Sequence, residues 1–183
     1  MDSDNPVGAD NQQERLIRVG WVVGFVDGEG CFSIGFVRQS GGPGRKGYGT
    51  GIQVTHEFVV VQGARSKGAL NEMRRFFGAG QVAINRRYDD HREDMYRFVV
   101  RKRADLLEKV IPFFERYPLQ TSKEYDFECF ARCVRLMAQG RHLDRNGVIE
   151  IARISEQMNR RKSREDLIRI LRDHTPDTLP RAG

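Results

Sequence analysis

The chain has 183 residues, 39% of them hydrophobic and 31% charged, and its 31 lysines and arginines outnumber its 25 aspartates and glutamates. This length suits a single domain over residues 1–183 with a core of its own. The net charge of +6 favours a polyanionic partner, most often nucleic acid. No apolar run is long enough to span a bilayer, and the polar, acidic N-terminus does not have the pattern of a signal peptide, so we expect no membrane partner.

Hydrophobic periodicity and glycine clusters predict ten elements. In chain order they are a helix over about 11–28, strands over 31–39 and 52–62, a helix over 66–77, strands over 81–88 and 95–101, and helices over 104–117, 123–139, 147–158 and 164–171. Asp10 is expected to cap the first helix, and Pro112 to kink the helix that contains it. Residues 1–10 and 173–183 are expected to be tails.

The three cysteines, Cys31, Cys129 and Cys133, have no further Cys or His ligand at metal-site spacing. We expect all three to be reduced packing residues, buried or half-buried, in an intracellular protein. The compartment and the host stay open. The four scattered histidines are expected to be surface or packing residues.

The first helix carries Gly20, Gly24 and Gly28 at every fourth position of an apolar run. A glycine inside a helix costs about 1 kcal/mol relative to alanine, so this row indicates close packing against a second helix. Asp27 and Glu29 lie at the C-terminal end, where the helix dipole is already negative, and a bound cation would resolve that conflict. The stretch therefore predicts a tight helix–helix seam that delivers acids to a metal.

Residues 22–30, VVGFVDGEG, resemble the signature of the LAGLIDADG homing endonucleases. The informative positions are matched by Gly24, Asp27, Gly28, Glu29 and Gly30, whereas Val22 and Val23 stand in place of Leu and Ala. The element order is also similar, and residues 76–82 and 118–123 resemble a turn and a lysine-bearing segment of the family. The resemblance implies an α+β fold. Its αββαββα core, here about residues 11–139, has a curved four-stranded antiparallel DNA-binding sheet with helices on the other side, and C-terminal helices follow over about 147–172.

Family members with a single motif act as homodimers, and this chain has one motif. The resemblance therefore implies a homodimer with the motif helices at its two-fold axis. The seam is assigned to Gly20, Gly24, Val23 and Asp27. The metal is assigned to Glu29 with help from the Gly28 carbonyl, and these oxygen ligands suit Mg²⁺, for which Mn²⁺ can substitute.

The implied reaction is hydrolysis of DNA phosphodiesters by an endonuclease encoded in a group I intron. Each subunit would cut one strand of a long pseudo-palindromic target and leave 3′ overhangs. Gln62 fits the glutamine of the family, and Lys123 is the best candidate for its active-site lysine. Either Arg65 or Lys67 is expected to act as the basic, solvent-ordering residue.

DNA binding is expected on the open face of the sheet, because a two-stranded ribbon fits the major groove and polar side chains there can read base edges. The candidates in the first hairpin are Ser33, Gly35, Val37, Arg38, Gln39, Arg45, Lys46, Tyr48, Gln53, Thr55 and Glu57. Those in the second are Gln81, Asn85, Arg86, Arg87, Arg97 and Arg101.

Two other functions are compatible with the same fold. The chain could be a maturase that binds its host intron RNA, or a DNA-binding regulator without catalysis. Glu29, Gln62 and Lys123 favour the nuclease over the regulator, which has no need of the acid.

Overall fold

A computed structural model of the chain describes residues 7–39, 49–85, 94–159 and 163–173. We label the elements in chain order, and a short 3₁₀ turn, Ala64–Ser66, precedes α2. The first six are α1 (Val7–Glu29), β1 (Gly30–Arg38), β2 (Ile52–Gly63), α2 (Lys67–Phe77), β3 (Gln81–Ile84) and β4 (Met95–Val100). The remaining helices are α3 (residues 103–116), α4 (Lys123–Ala138), α5 (Arg145–Ser155) and α6 (Glu165–Asp173). The predicted order of elements is confirmed.

The four strands form one antiparallel sheet in the order β1-β2-β4-β3. Alternate residues face the helix layer, because successive side chains of a strand point to opposite faces. On that side Phe32, Phe58 and Phe98 are completely buried. Phe32 and Phe58 contact the Phe114 ring of the helix layer edge-on, Phe32 also contacts Phe130 at a tilt, and Phe98 contacts Phe58 edge-on. Burial of each ring contributes roughly 1.5–3 kcal/mol, so this cluster holds the sheet against the helices. The other face of the sheet is not covered by the described helices and is called the open face below.

Three elements show the main differences from the sequence prediction. α1 begins at Val7, so Asp10 lies inside the helix and is not its N-cap. Within the described residues, β3 ends at Ile84, and 86–88 of the predicted strand lie outside them. α3 is interrupted by a π-helical segment, Leu106–Val110, immediately before the helical stretch with Pro112 near its start. Proline lacks the N–H of a regular helix, and a π-helical turn is one way to absorb that break.

Two residues from the chain between α5 and α6, Asn159 and Arg164, contact the free edge of β1. The side-chain amide of Asn159 donates to the Phe32 carbonyl at 3.1 Å. Arg164 donates to the Ile34 carbonyl at 3.4 Å, and its guanidinium lies 5.2 Å from the Phe36 ring centroid. Side chains thus satisfy carbonyls that an edge strand would otherwise leave open to another strand.

The cysteines differ in burial. All three are free, and Cys129 and Cys133 are buried as predicted, with burial raising the pKa of the Cys133 thiol to about 12. Cys31 is exposed, which corrects the prediction that it is buried or half-buried. Its position in β1 alternates with Phe32, so it falls on the open face. None of the helices in the described ranges has the length and hydropathy of a membrane span.

Candidate active site

The end of α1 turns into β1 without a loop. A Cβ atom at Gly30 would lie 2.6 Å from Cγ1 of Val26 and 2.7 Å from its carbonyl oxygen, so only glycine fits there. Glu29 immediately precedes this turn and is exposed. Its carboxylate makes no hydrogen bond or ion pair within the described part of the chain. The close contact between Gly30 and Val26 therefore places the free carboxylate of Glu29 at the junction of α1 and β1.

Lys123, the first residue of α4, reaches the same corner. Its Nζ donates to the Val26 carbonyl at 2.9 Å, in the last turn of α1. The last carbonyls of a helix have no partner inside the helix and carry partial negative charge, so an ammonium group is stabilising there. The predicted active-site lysine and the predicted metal-binding acid thus lie at one end of α1.

Asp27 ties α1 to the segment that leads into α4. Its two carboxylate oxygens accept hydrogen bonds from the Gln120 amide at 2.7 Å, the Thr121 amide at 3.3 Å and the Thr121 hydroxyl at 2.8 Å. The same hydroxyl accepts a bond from the Lys123 amide at 3.3 Å. Asp27 therefore links, within one chain, the C-terminal end of α1 to the segment that leads into α4.

The other predicted catalytic residues lie at the corresponding end of β2. Gly30 pairs with Val60, so Gln62, two residues further along, is level with the end of α1. Gln62 pairs with Tyr96 and lies on the face of the sheet that carries the helices. The Nζ of Lys67 lies 4.3 Å from the Tyr96 ring centroid, a cation–π contact beside Gln62. Arg65 is exposed in the 3₁₀ turn that follows β2.

One face of α1 has no packing partner among the described residues of the monomer. The buried side chains of this helix are Val19, Val22 and Val26. Since a helix turns about 100° per residue, Gly24 lies about 160° from both Val22 and Val26. Within the described part of the chain, no atom lies within 4 Å of ideal Cβ positions at Gly20, Gly24 and Gly28. The row of glycines therefore lies opposite the buried stripe, and nearby Ile17 is 65% exposed.

The two other predicted seam residues contact their own chain. Val23 is half-buried and packs against the core, and Asp27 is engaged by residues 120 and 121. Gly20 and Gly24 are the members of the predicted seam that lie on the exposed glycine face.

The open face of the sheet carries most of the predicted DNA-contacting side chains. Gln39 donates to Gln53 at 2.7 Å, and Thr55 lies opposite Gly35, where a Cβ atom would come within 2.5 Å of its hydroxyl oxygen. The register places on this face Ser33, Gly35, Val37, Gln53, Thr55, Glu57, Gln81 and Arg97, continued beyond the strand ends by Gln39, Asn85 and Arg101. Arg38 is exposed at the end of β1. The remaining candidates, Arg45, Lys46, Tyr48, Arg86 and Arg87, lie outside the described residues.

Residues 22–134 match the family model of the LAGLIDADG endonucleases. The chain belongs to the LAGLIDADG endonuclease family. Among solved structures it is similar to the homing endonuclease I-TnaI, with 42% identity, a TM-score of 0.70 and coverage of 84% of this chain and 95% of I-TnaI. It is also similar to I-SmaMI bound to cleaved DNA, with 27% identity, a TM-score of 0.69 and coverage of 79% and 44% of the two chains.

A curated relative is the probable intron-encoded endonuclease 2 of Neurospora crassa, 28% identical over 138 residues. The match covers 75% of this chain and 26% of the relative. Over the curated relatives that it matches, the chain spans from about a quarter to just over a third of their length. The predicted fold class is confirmed, and the motif helix of this LAGLIDADG chain is α1.

A metal site in this LAGLIDADG chain would be incomplete on its own. Among the described residues, no three or more His, Cys, Asp or Glu side chains gather closely enough to hold an ion. Glu29 brings one free carboxylate, and the Gly28 carbonyl belongs to the same helix end. These hard oxygen donors fit Mg²⁺, which keeps several of its waters and takes few protein ligands. The residues present therefore fit a divalent cation that shares its ligands with another chain or with DNA.

Sequence reasoning missed Thr121 and the partner of Glu57. Thr121 precedes the first residue of α4 by two positions, which is a typical place for a hydroxyl that caps a helix, but its bond to Asp27 joins residues 94 positions apart. Glu57 and Arg101 were predicted as separate DNA contacts, and the structure joins them in an ion pair. No local pattern indicates either contact.

The described histidines lie away from the end of α1. His56 is on the face of the sheet that carries the helices, with Arg103 nearby, and Arg103 also lies 3.4 Å from the His142 ring. Burial, followed by the positive charge of Arg103, lowers the pKa of His56 to about 4. This agrees with the prediction that His56 is a surface or packing residue. His91 and His174 lie outside the described residues.

Proposed function

We propose that this chain is a site-specific homing endonuclease that acts as a homodimer. It would make a double-strand break with 3′ overhangs in a long, pseudo-palindromic DNA target, with Mg²⁺ as the cofactor. One observation carries the proposal: the exposed glycine face of α1 ends at Glu29, whose carboxylate has no partner among the described residues. The C-terminal end of α1 would thus contribute both to the dimer interface and to the cleavage reaction.

The glycine face is the surface through which two copies would pair. A helix with three glycines loses about 1 kcal/mol at each of them relative to alanine, and no contact among the described residues of the monomer offsets that loss. Packing of two such faces around a two-fold axis lets the helix backbones approach closely, and it brings the two Glu29 side chains together near the axis. The chain covers nearly all of I-TnaI but less than half of I-SmaMI, which supports one folded unit per subunit.

Two neighbouring carboxylates repel each other unless a cation lies between them. Glu29 from each copy, with the Gly28 carbonyl, would hold Mg²⁺. A structure of I-SmaMI on its uncleaved DNA target was obtained in the presence of calcium ions, which supports a divalent cation here. When bound, such an ion would supply Lewis-acid stabilisation of the charge at the scissile phosphate.

The side chains around Glu29 have separate roles in this proposal. The ammonium group of Lys123, held at the end of α1, adds positive charge beside the scissile phosphate. Gln62 donates and accepts hydrogen bonds, so it suits the ordering of the attacking water. Lys67 or Arg65 orders the surrounding solvent. Asp27 serves to position α4, because both of its carboxylate oxygens are already engaged.

The DNA would lie along the open face of the sheet. I-SmaMI has been solved on cleaved DNA, and the polar side chains of the open face here, glutamine, threonine and arginine, suit base edges in the major groove. Two copies would read two half-sites. The intron-encoded relative in Neurospora crassa supports an origin in an intron, and we propose one of group I.

Cleavage of a randomised or intron-insertion-site DNA library by the full chain tests the proposal. We expect Mg²⁺-dependent double-strand cuts with 3′ overhangs, binding without cutting in Ca²⁺, and a sedimentation mass of two copies. Glu29→Gln should bind and not cut, whereas the exposed control Glu108→Gln should do both. Specific DNA binding without cutting by the wild type would indicate a regulator, and specific binding of intron RNA alone would indicate a maturase. Cutting by Glu29→Gln at the wild-type rate would refute the catalytic assignment.

A further inference from the structure

The open face carries an ion pair between its two central strands. Phe58 pairs with Val100, so the next positions, Glu57 on β2 and Arg101 just after β4, are neighbours on the opposite face. Arg101 Nε donates to Glu57 Oε2 at 2.9 Å, and Arg101 Nη2 lies 2.7 Å from the same oxygen. The side chains are 49% and 31% exposed respectively, so both remain accessible to a ligand on this face.

The contact leaves one acceptor and one pair of donors unused. Glu57 Oε1 makes no hydrogen bond within the described part of the chain. The Nε–H of Arg101 and one N–H of Nη2 face Glu57. The parallel pair of N–H bonds at the far end of the guanidinium, one on Nη1 and one on Nη2, is therefore directed away from Glu57. Because the carboxylate orients the plane of the guanidinium, Arg101 loses less rotamer freedom when it donates this second pair of bonds.

A G·C base pair offers the complementary pattern in the major groove. Guanine presents the O6 and N7 acceptors that the end-on fork of an arginine fits, and cytosine presents an N4 donor that a carboxylate accepts. We infer that Glu57 and Arg101 together form a specificity-determining unit that reads one G·C base pair in each half-site. This inference rests on the proposed function, in which the open face lies in the major groove.

A phosphate contact is the competing role for Arg101, and the charges argue against it. A phosphate placed on this guanidinium would bring its negative charge close to the carboxylate of Glu57, which is unfavourable. Within the described residues Arg97, on the same face, has no carboxylate partner, so its positive charge is better suited to a phosphate. The partner of Arg101 thus favours readout of a base over contact with the backbone.

The test measures base preference at every half-site position by selection of bound DNA in Ca²⁺, followed by cleavage in Mg²⁺. The wild type should prefer G·C at one position and its symmetry mate. Arg101→Lys should reduce that preference at least about tenfold, since lysine lacks the bidentate fork, and should leave other positions unchanged. Glu57→Gln should weaken the preference at the same base pair. Arg135→Lys is the matched control, because Arg135 pairs with Glu115 in the helix layer.

Two results would overturn the inference while leaving the nuclease intact. The first is a uniform loss of affinity with a shallower salt dependence in Arg101→Lys, which is the behaviour of a phosphate contact. The second is an unchanged base preference in both variants, which would make the pair purely structural. If the wild type neither binds nor cuts any member of the library, the proposed function fails, and the inference fails with it.

Discussion

The hydroxyl of Thr121 lies 2.8 Å from a carboxylate oxygen of Asp27 and donates a hydrogen bond to it. This bond joins the last turn of α1, which carries Glu29, to the start of α4, which carries Lys123. A hydrogen bond to a charged group is stronger than one between neutral groups, and here the backbone amides of residues 120 and 121 reinforce it. The position of the lysine relative to the acid therefore depends on a residue with no chemical role of its own.

Thr121→Val keeps the shape of the side chain and removes the hydroxyl. We expect cleavage under saturating DNA to slow about tenfold or more, because displacement of a positioned group is costly, while DNA affinity in Ca²⁺ stays the same. The free energy of unfolding should fall by about 1 kcal/mol. Single-turnover kinetics and binding titrations check this, and Thr121→Ser should restore the rate. Equal rates for Val and Ser would show that the bond does not position Lys123.

The substitution Gly24→Leu should disrupt the proposed homodimer without disrupting the fold of the monomer. A Cβ atom added at Gly24 meets no described atom of the monomer within 4 Å, and leucine is a better helix former than glycine by roughly 1 kcal/mol. We expect the monomer to keep its thermal stability while the dimer dissociates and cleavage is lost. Analytical ultracentrifugation and thermal unfolding measure the two effects. Gly68→Leu is the control, because Gly68 also has open space and lies in α2. A dimeric Gly24→Leu would place the interface elsewhere.

Gly30→Ala should destabilise the fold. Its new methyl group would overlap both the side chain and the carbonyl of Val26, so the helix end or the strand must shift. Overpacking of this kind costs typically 1–3 kcal/mol, and a backbone atom yields less readily than a flexible side chain. Gly68→Ala, in α2, has open space among the described atoms and gains helix propensity, so its melting temperature should equal or slightly exceed that of the wild type. Similar melting temperatures for the two variants would contradict the close contact between Gly30 and Val26.

Lowering the pH should reduce the free energy of unfolding, because His56 takes up a proton when the chain unfolds. Its pKa is lowered from an ordinary value of 6.5 to about 4, so the unfolded chain binds the proton more tightly than the folded chain does. The contribution of His56 to stability is complete above about pH 6.5 and is lost progressively as the pH falls towards 4. A fully realised shift would correspond to about 3 kcal/mol, and solvent screening at this partly exposed ring reduces the expected loss to about 1 kcal/mol.

Denaturant unfolding between pH 7 and pH 4 measures this loss. His56→Gln does not titrate and should show a flatter dependence of stability on pH in that window. Arg103 and His142 lie near the ring, and the pKa of His142 is also lowered, so part of the slope should remain in the variant. An unchanged slope would assign the acid sensitivity to other groups.

Features that depend on near neighbours in the chain could be predicted. The alternation of Phe32, Ile34 and Phe36 with polar residues identified β1, and the row of Gly20, Gly24 and Gly28 identified the unpaired face of α1. Both are periodic patterns that a strand or a helix imposes on residues a few positions apart. The placement of Glu29 at the end of α1 followed from the same local pattern.

Contacts between distant residues were decided by the tertiary structure. Asp27 and Thr121, Glu57 and Arg101, and Asn159 on the edge of β1 are pairs or contacts that span 94, 44 and 127 positions. Each residue is polar, and many arrangements would satisfy it equally well in isolation. Only the packing of the phenylalanine core, which fixes how the helices lie on the sheet, brings these partners within hydrogen-bonding distance. The sequence by itself therefore determined the elements, the family resemblance and the candidate acid, whereas the tertiary structure decided which polar side chains act together.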